Sequence, residues 1–149
     1  MEEAQSTEPA AGGQDELIDA LVQASFMTMA VLSKVAAEHD LSLTQLRVFA
    51  ILRDRRLRMA GLADYLGLEK STMTGLVDRA EKRGLLERAP SPADRRAVDV
   101  FLSAAGIDLT ERLYAEILRA LSPMTGALSP AEQRRLHTLI ERMLGGSAA

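Results

Sequence analysis

The apolar positions of this chain recur mainly at the three- and four-residue spacing of amphipathic helices. Residues 15–38 show this spacing with no internal glycine or proline, and they predict a long first helix. Its apolar positions include Leu17, Leu21, Met27, Val31 and Val35. Ser42 and Ser129 each stand three residues before a Gln or Glu, which is the pattern of a capping box. These serines predict helices from residue 43 to about residue 53 and from residue 130 to Gly145.

Two shorter helical segments occupy the middle of the chain. The first covers about residues 61–66 and is ended by Gly67, and the second runs from about Lys70 to Arg83 and is stopped by Gly84. The apolar face of the second segment consists of Met73, Leu76, Val77 and Ala80. Its opposite face presents Ser71, Thr72, Thr74, Gly75, Asp78, Arg79 and Lys82. Two short helices joined by a tight turn, the second with a polar outer face, are typical of a helix-turn-helix.

A period-two pattern replaces the helical one after this segment, and it predicts two strands at residues 85–89 and 97–102. In the second strand Val98, Val100 and Leu102 recur at period two, which places them on one face. Between the strands, Pro90 and Pro92 exclude a helix and predict a stiff, extended tip. The two strands therefore predict a small β-hairpin.

A further long helix is predicted after Ser103, with Ser122 and Pro123 kinking or ending it near Leu121. Hydrophobic residues make up 47% of the chain and aromatic residues only 3%, with no tryptophan. A core of aliphatic side chains is typical of packed helices. The chain is therefore expected to be mainly α, with about six helices and a small β-hairpin.

The tip of the predicted hairpin carries Asp94, Arg95 and Arg96. On an extended tip Asp94 and Arg96 point to the same side, so the carboxylate is expected to hold the Arg96 guanidinium in a fixed orientation. An arginine held in this way suits the narrow minor groove of DNA, and Arg95 is expected to support phosphate binding. A helix-turn-helix followed by a basic hairpin is typical of proteins that grip duplex DNA.

The charge distribution favours this interpretation, although the whole chain has a formal net charge of −3. The segment from Arg53 to Arg96 holds 11 Lys and Arg against 7 Asp and Glu, a balance of +4, and the rest of the chain balances at −7. The basic part coincides with the helix pair and the hairpin, as expected of an electrostatic footprint for DNA. The sequence has no cysteine, which excludes disulfides, thiolate metal sites and thiol redox sensing.

The polar helix face offers groups that suit a DNA duplex. The hydroxyls of Ser71, Thr72 and Thr74 can bond base edges or phosphates, and the amino end of the helix itself favours a phosphate. Gly75 costs helix stability, so a close approach of the helix to a groove or backbone would explain it.

The charged residues of the same face extend this interpretation. Arg79 can reach guanine or phosphate, and Lys82 is expected to meet phosphate. Asp78 has two interpretations: it accepts from a cytosine amino group, or it pairs with Lys82 one turn later, which we favour.

Residues 62–88, LADYLGLEKSTMTGLVDRAEKRGLLER, and residues 94–106, DRRAVDVFLSAAG, resemble the winged-helix core of the MarR family of bacterial transcription regulators. The resemblance extends to LSLTQLRVFAIL at 41–52 and LSPAEQRRLHTLIERML at 128–144, and so covers nearly all of residues 15–145. The Asp-x-Arg sequence of the hairpin, or wing, is its most specific part.

The resemblance implies an intertwined homodimer. It divides the chain into a helical dimerisation region (15–40 and 104–149) and a winged helix-turn-helix DNA-binding region (41–103), after a disordered tail (1–14). It also implies that the recognition helix enters the major groove of a pseudo-palindromic operator while Arg96 enters the minor groove. The family's DNA-facing helix positions fall on Ser71, Thr72, Thr74 and Arg79.

Members of this family commonly respond to small phenolic or other lipophilic anions that bind between the two regions. The residues that could line such a site are Met27, Ala30, Phe49, Met59 and Leu113, each of which a plain apolar core would equally explain. No cofactor is expected. The only histidines, His39 and His137, are too few for a zinc site without carboxylate help, and both are expected at the surface or an interface.

The sequence thus predicts a DNA-binding repressor that a small lipophilic or phenolic ligand releases. The alternative is a winged-helix module that binds proteins, but the Ser, Thr, Gly and Arg surface lacks the apolar anchors of such an interface. No nucleophile or phosphate-loop motif suggests an enzyme. The chain lacks a signal peptide pattern, and no segment is expected to approach the ~18 apolar residues of a membrane span, so a cytoplasmic protein without membrane contact is predicted.

Overall fold

Six helices and three short strands make up residues 11–145, the part of the chain that the computed structural model describes. In chain order they are α1 (Ala11–Glu38), α2 (Leu43–Leu52), β1 (Leu57–Arg58), α3 (Met59–Leu66), α4 (Lys70–Lys82), β2 (Leu86–Pro90), β3 (Val98–Leu102), α5 (Ala104–Thr125) and α6 (Pro130–Met143). This architecture confirms the mainly α winged helix-turn-helix.

The caps expected from the sequence are confirmed. The Ser42 and Ser129 hydroxyls accept from the backbone amides of Gln45 and Glu132, and both capping boxes are complete. Gly67 ends α3 in the left-handed conformation with φ 65°. These ends depend on neighbouring residues alone, which is why the sequence locates them within one or two positions.

The strands form one antiparallel sheet in the order β1-β3-β2. Leu57 of β1 pairs with Val100, and Leu86 and Pro90 of β2 pair with Leu102 and Val98. The sequence predicts the β2–β3 hairpin but not β1, because a two-residue strand is too short to show a period of two. The wing is therefore a hairpin joined along β3 to the segment after α2.

The start of α1 corrects the predicted tail. The helix begins at Ala11, so residues 11–14 are helical rather than disordered. Residues 1–10 of that tail and residues 146–149 of the dimerisation region lie outside the described residues.

The predicted end of α5 near Leu121 is wrong. The helix continues through Pro123 to Thr125. Proline lacks the amide that would bond the carbonyl four residues earlier, at Arg119, but the Ser122 hydroxyl donates to that carbonyl at 3.1 Å. The serine hydroxyl thus replaces the missing donor.

The core lies where α2, α4 and α5 meet the sheet. Phe49, Met73 and Leu113 are almost completely buried there. Val98 shares a face of β3 with the buried Val100 and Leu102 but is itself exposed, because it lies at the end of the strand, opposite Pro90. The neighbouring residue Asp99, on the opposite face of β3, is buried.

The helices α1 and α6 leave large apolar side chains uncovered. None of the α6 residues is buried, although four of them are large apolar residues on one face. The exposed apolar residues of the two helices are Leu17, Ile18, Leu21, Val22, Phe26, Met27, Met29, Leu136, Leu139, Ile140 and Met143. Large apolar side chains exposed along a helix are typical of an interface with another molecule.

Helix α1 contradicts the prediction that no segment of the chain is long and apolar enough to span a membrane. By length and apolar character, Gly12–Glu38 could cross a membrane. The charges of this helix lie toward its two ends, and residues 20–33 contain none. Such a helix meets the same criterion whether lipid or another protein surface covers it.

Candidate nucleic-acid interface

The two faces of α4 are arranged as the sequence predicts. The inner face, formed by Met73, Leu76, Val77 and Ala80, is buried. On the other side Ser71, Thr72, Arg79 and Lys82 are exposed, and Thr74, Gly75 and Asp78 are half-buried. The Thr74 hydroxyl donates to the Lys70 carbonyl of its own helix at 2.8 Å. Ser71 and Thr72, by contrast, are exposed to solvent in the first turn of the helix.

Gly75 leaves a gap in this outer face. A Cβ atom at this position would meet a single neighbour within 4 Å, the Nη1 atom of Arg79 at 3.4 Å. No packing requirement within the described residues therefore explains a glycine here. The space beside the helix stays open to an approaching molecule.

The tip of the wing is a turn rather than the predicted extended segment. The Ala97 amide donates to the Asp94 carbonyl at 2.9 Å, which closes a four-residue turn. The Asp94 carboxylate accepts from the Arg96 backbone amide at 3.0 Å, not from its guanidinium as expected. Aspartate at the first turn position commonly bonds the backbone two residues later. Asp94 therefore fixes the shape of the tip, and the Arg95 and Arg96 side chains are exposed at it.

Residues of α4 and of the wing line the same cleft, which has a volume of about 680 Å³. Its basic lining residues are Arg58, Lys70, Arg88, Arg95 and Arg96. Met59, Ala60, Thr74, Ala89, Pro90, Ala97 and Val98 complete the lining, which includes no carboxylate. Of the nine DNA-binding residues predicted from the sequence, the cleft unites Thr74, Arg95 and Arg96. Ser71, Thr72, Gly75, Arg79, Lys82 and Asp94 lie outside its lining.

Sequence reasoning missed Arg58, Lys70 and Arg88 as members of this surface. All three are part of the basic segment from Arg53 to Arg96, which was the available signal. Nothing in the local pattern shows which of its basic residues face α4. The pairing of β1 and β2 with β3 decides that for Arg58 and Arg88, whereas Lys70 is itself the first residue of α4.

Arg88 has a structural role in this surface. Its Nη2 lies 2.7 Å from Asp78 Oδ1, and its Nε lies 3.0 Å from Glu81 Oε2. The hydrogen bond to Arg88 lowers the pKa of the Glu81 carboxyl below its ordinary value, and the same bond raises the pKa of Arg88. Asp78 thus forms an ion pair as favoured, but with Arg88 rather than Lys82, because β2 brings a better donor alongside α4.

The five candidate ligand residues do not lie together. Phe49 is in the core, Met59 lines the cleft beside the wing, and Met27 and Ala30 are exposed on α1. Leu113 alone lines a separate cavity of about 220 Å³ between α2 and α5. The other residues of this cavity are Leu46, Ala50, Arg53, Thr110, Tyr114 and Ile117. Here the Arg53 guanidinium lies 4.4 Å from the centre of the Tyr114 ring.

The histidines lie far apart. His39 Nε2 lies 2.9 Å from Glu116 Oε2, between the end of α1 and α5, and His137 is exposed on α6. Across residues 11–145, the side chains form no group of three or more His, Cys, Asp or Glu suited to a metal ion.

Comparison with known proteins gives a consistent result. The family model described as the MarR family matches residues 39–97. The uncharacterised HTH-type transcriptional regulator YfiV of Bacillus subtilis is 32% identical over 99 residues, 66% of this chain and 62% of that protein. The HTH-type transcriptional regulator PecS of Dickeya dadantii is 28% identical over 131 residues, 85% of this chain and 79% of that protein. The chain thus spans less than two thirds of the length of the first of these relatives.

A solved structure supports the fold over most of the chain. The crystal structure of CouR from Rhodococcus jostii RHA1, bound to p-coumaroyl-CoA, superposes with a TM-score of 0.74 at 20% identity. It covers 91% of this chain and 96% of that one. At this identity the likeness shows the fold.

Proposed function

We propose that this chain is a member of the MarR family, on the match of residues 39–97 to the family model and the similarity to PecS, and that it is a homodimeric transcriptional regulator that binds a pseudo-palindromic duplex operator. The observation that carries the proposal is the single cleft that α4 and the wing share. A recognition helix and a basic hairpin on one side of a domain can bind the major groove and the adjacent backbone together.

The chemistry of that side suits a nucleic acid. Ser71 and Thr72 are exposed at the amino end of α4, where backbone amides and small hydroxyls favour phosphate and base edges. The lining of the cleft includes five cations and no carboxylate. Arg88 is already paired with Asp78 and Glu81, so Arg58, Lys70, Arg95 and Arg96 supply the attraction for a polyanion. We assign Arg96 to the minor groove and Arg95 to phosphate, with Arg79 and Lys82 beside the major groove.

A second copy of the chain is the proposed cover for α1 and α6. Both helices expose large apolar residues, and α6 buries none of its own residues. Two copies joined through these helices would present two recognition helices, as two half-sites of an operator require. The apolar stretch of α1 then lies in a protein interface rather than in lipid, and the protein is cytoplasmic.

We further propose that the regulator is a repressor released by a small phenolic or lipophilic anion. The cavity between α2 and α5 supports this, because it joins an apolar lining to the cation of Arg53. Its volume of about 220 Å³ suits one aromatic ring. A ligand here would touch both the DNA-binding region and α5, so its binding can change their relative position.

The proposal is tested by selecting duplexes from a random pool and measuring their affinity by fluorescence anisotropy over a salt series. The wild-type protein is expected to bind palindromic duplexes as a dimer, with affinity falling steeply as salt rises. Arg96→Ala should lower the salt slope by about one unit, and Arg142→Ala on α6 should leave it unchanged. A monomer that ignores every duplex at low salt would overturn the proposal. Release of the bound duplex by 4-hydroxybenzoate, reduced in Arg53→Ala, tests the ligand site.

A further inference from the structure

Arg56 contacts both strands of the wing from outside it. It lies between α2 and β1, and its Nε donates to the Asp99 carboxylate of β3 at 2.8 Å. Its Nη2 donates to the Pro90 carbonyl, at the end of β2, at 3.2 Å. Its guanidinium also lies 4.6 Å from the centre of the Phe101 ring, two residues along β3. One side chain therefore joins the β1 side of the sheet to both strands of the hairpin.

These contacts lie where the tip begins. Pro90 is the last residue of β2, and the next residue, Ser91, closes the loop by donating its amide to the Ala97 carbonyl at 2.9 Å. Asp99 stands opposite Ala89, next to that closure. Arg56 thus holds the two points from which the tip projects, and it leaves the tip itself untouched.

The pairing is a costly way to fill this space if stability were its only result. The Asp99 side chain is only 8% exposed, and a buried carboxylate loses hydration that its partner barely restores. An apolar pair of similar size would commonly be as stable. What the ion pair adds is direction, since a planar guanidinium binds the carboxylate and the carbonyl only in one orientation.

We propose that Arg56 is a positioning residue for DNA binding, which holds the wing at the angle that brings Arg96 to the duplex. It acts through Asp99 and the Pro90 carbonyl and not by contacting DNA. Arg56 is not among the residues that line the cleft shared by α4 and the wing, as such a role requires. The inference rests on the proposed function, because it concerns the use of the wing on DNA.

The variant Asp99→Asn separates positioning from direct contact. It keeps the Arg56 cation and removes a negative charge, so a direct phosphate contact predicts unchanged or higher affinity. Positioning predicts a loss of about fivefold or more, because the charged partner that orients Arg56 is gone. Arg56→Lys keeps the charge but cannot bridge both oxygens, and it should lose affinity similarly. Arg55→Ala is the matched control, since it removes the neighbouring cation, for which the structure shows no side-chain bond to the wing.

A double-mutant cycle with Arg96→Ala tests the route of the effect. If Arg56 acts through the wing arginine, Asp99→Asn should cost little more once Arg96 is removed, a coupling of about fivefold in affinity. Additive effects would overturn the inference, as would Asp99→Asn and Arg56→Lys variants that bind like the wild type. Melting curves show whether each variant is folded. Arg56→Ala is avoided because it would leave the buried Asp99 carboxylate without a partner and could unfold the protein. A wild-type protein that binds no duplex would instead overturn the proposed function.

Discussion

Arg88 of β2 lies 2.7 Å from Asp78 of α4, measured from Nη2 to Oδ1. Glu81, nearly one turn later on the same helix, accepts hydrogen bonds from Nε and Nη2 of that guanidinium, so both carboxylates share Nη2. The wing and the recognition helix are therefore joined directly, and not only through the core beneath them. Together with Arg56 this gives the wing two charged attachments to its surroundings.

The Arg88 attachment should weaken in acid. The hydrogen bond to Arg88 lowers the pKa of Glu81 in the folded protein, so its contribution to stability is complete above the ordinary glutamate pKa and is lost as the pH falls through the lower folded value. Melting temperatures measured between about pH 7 and pH 3 should fall less in Glu81→Gln than in the wild type. An identical decline in both would contradict the assignment.

Glu132 provides a comparison for that experiment. Its pKa is also lowered, by the hydrogen bonds it makes with Ser129 in the α6 capping box. Glu132→Gln should flatten the same acid range, with no change in DNA affinity at neutral pH. At that pH Glu81→Gln should also reduce DNA affinity, because it loosens the wing.

Gly106 is expected to tolerate no side chain. A Cβ there would overlap the backbone carbonyl of Leu85, which cannot move aside as a flexible side chain can. Gly106→Ala should lower the free energy of unfolding by about 1–3 kcal/mol or more, measured by urea denaturation. Gly61→Ala, in α3 with nothing within 4 Å of the new atom, should instead raise it by about 1 kcal/mol. Equal effects of the two substitutions would be inconsistent with this packing.

Gly75→Ala should separate stability from function. Alanine favours the helix by about 1 kcal/mol, and the structure leaves room for its methyl group beside Arg79. DNA affinity should nevertheless fall, because the methyl group keeps the outer face of α4 from the duplex. Thermal melting and anisotropy on the same preparation measure both effects. A stabilised variant with unchanged affinity would show that the helix does not approach DNA at this position.

Ile140→Glu should weaken the proposed dimer. Ile140 is one of the exposed apolar residues of α6, and a carboxylate there would be buried without a partner in the interface. Analytical ultracentrifugation at micromolar concentration should show monomer, with DNA affinity lost in parallel. Thr138→Glu places the same group on the opposite side of the helix, at 100° per residue, and should remain dimeric. A dimer that persists in Ile140→Glu would locate the interface elsewhere.

Features that depend on neighbouring residues could be predicted from the sequence. The capping boxes at Ser42 and Ser129, the end of α3 at Gly67 and the buried face of α4 each arise within a few positions of the chain. Helix periodicity and caps are local effects, so they follow from the order of residues without any knowledge of the packing. It also concentrated the positive charge between Arg53 and Arg96.

Tertiary structure alone decided which distant groups meet. The two residues of β1 form a strand only because β3 offers them partners, and Asp99 is buried because Arg56 reaches it from 43 positions away. Asp78 bonds Arg88 rather than Lys82 for the same reason. A charged side chain selects its partner by distance and geometry in space, and those are set by packing that no local pattern records.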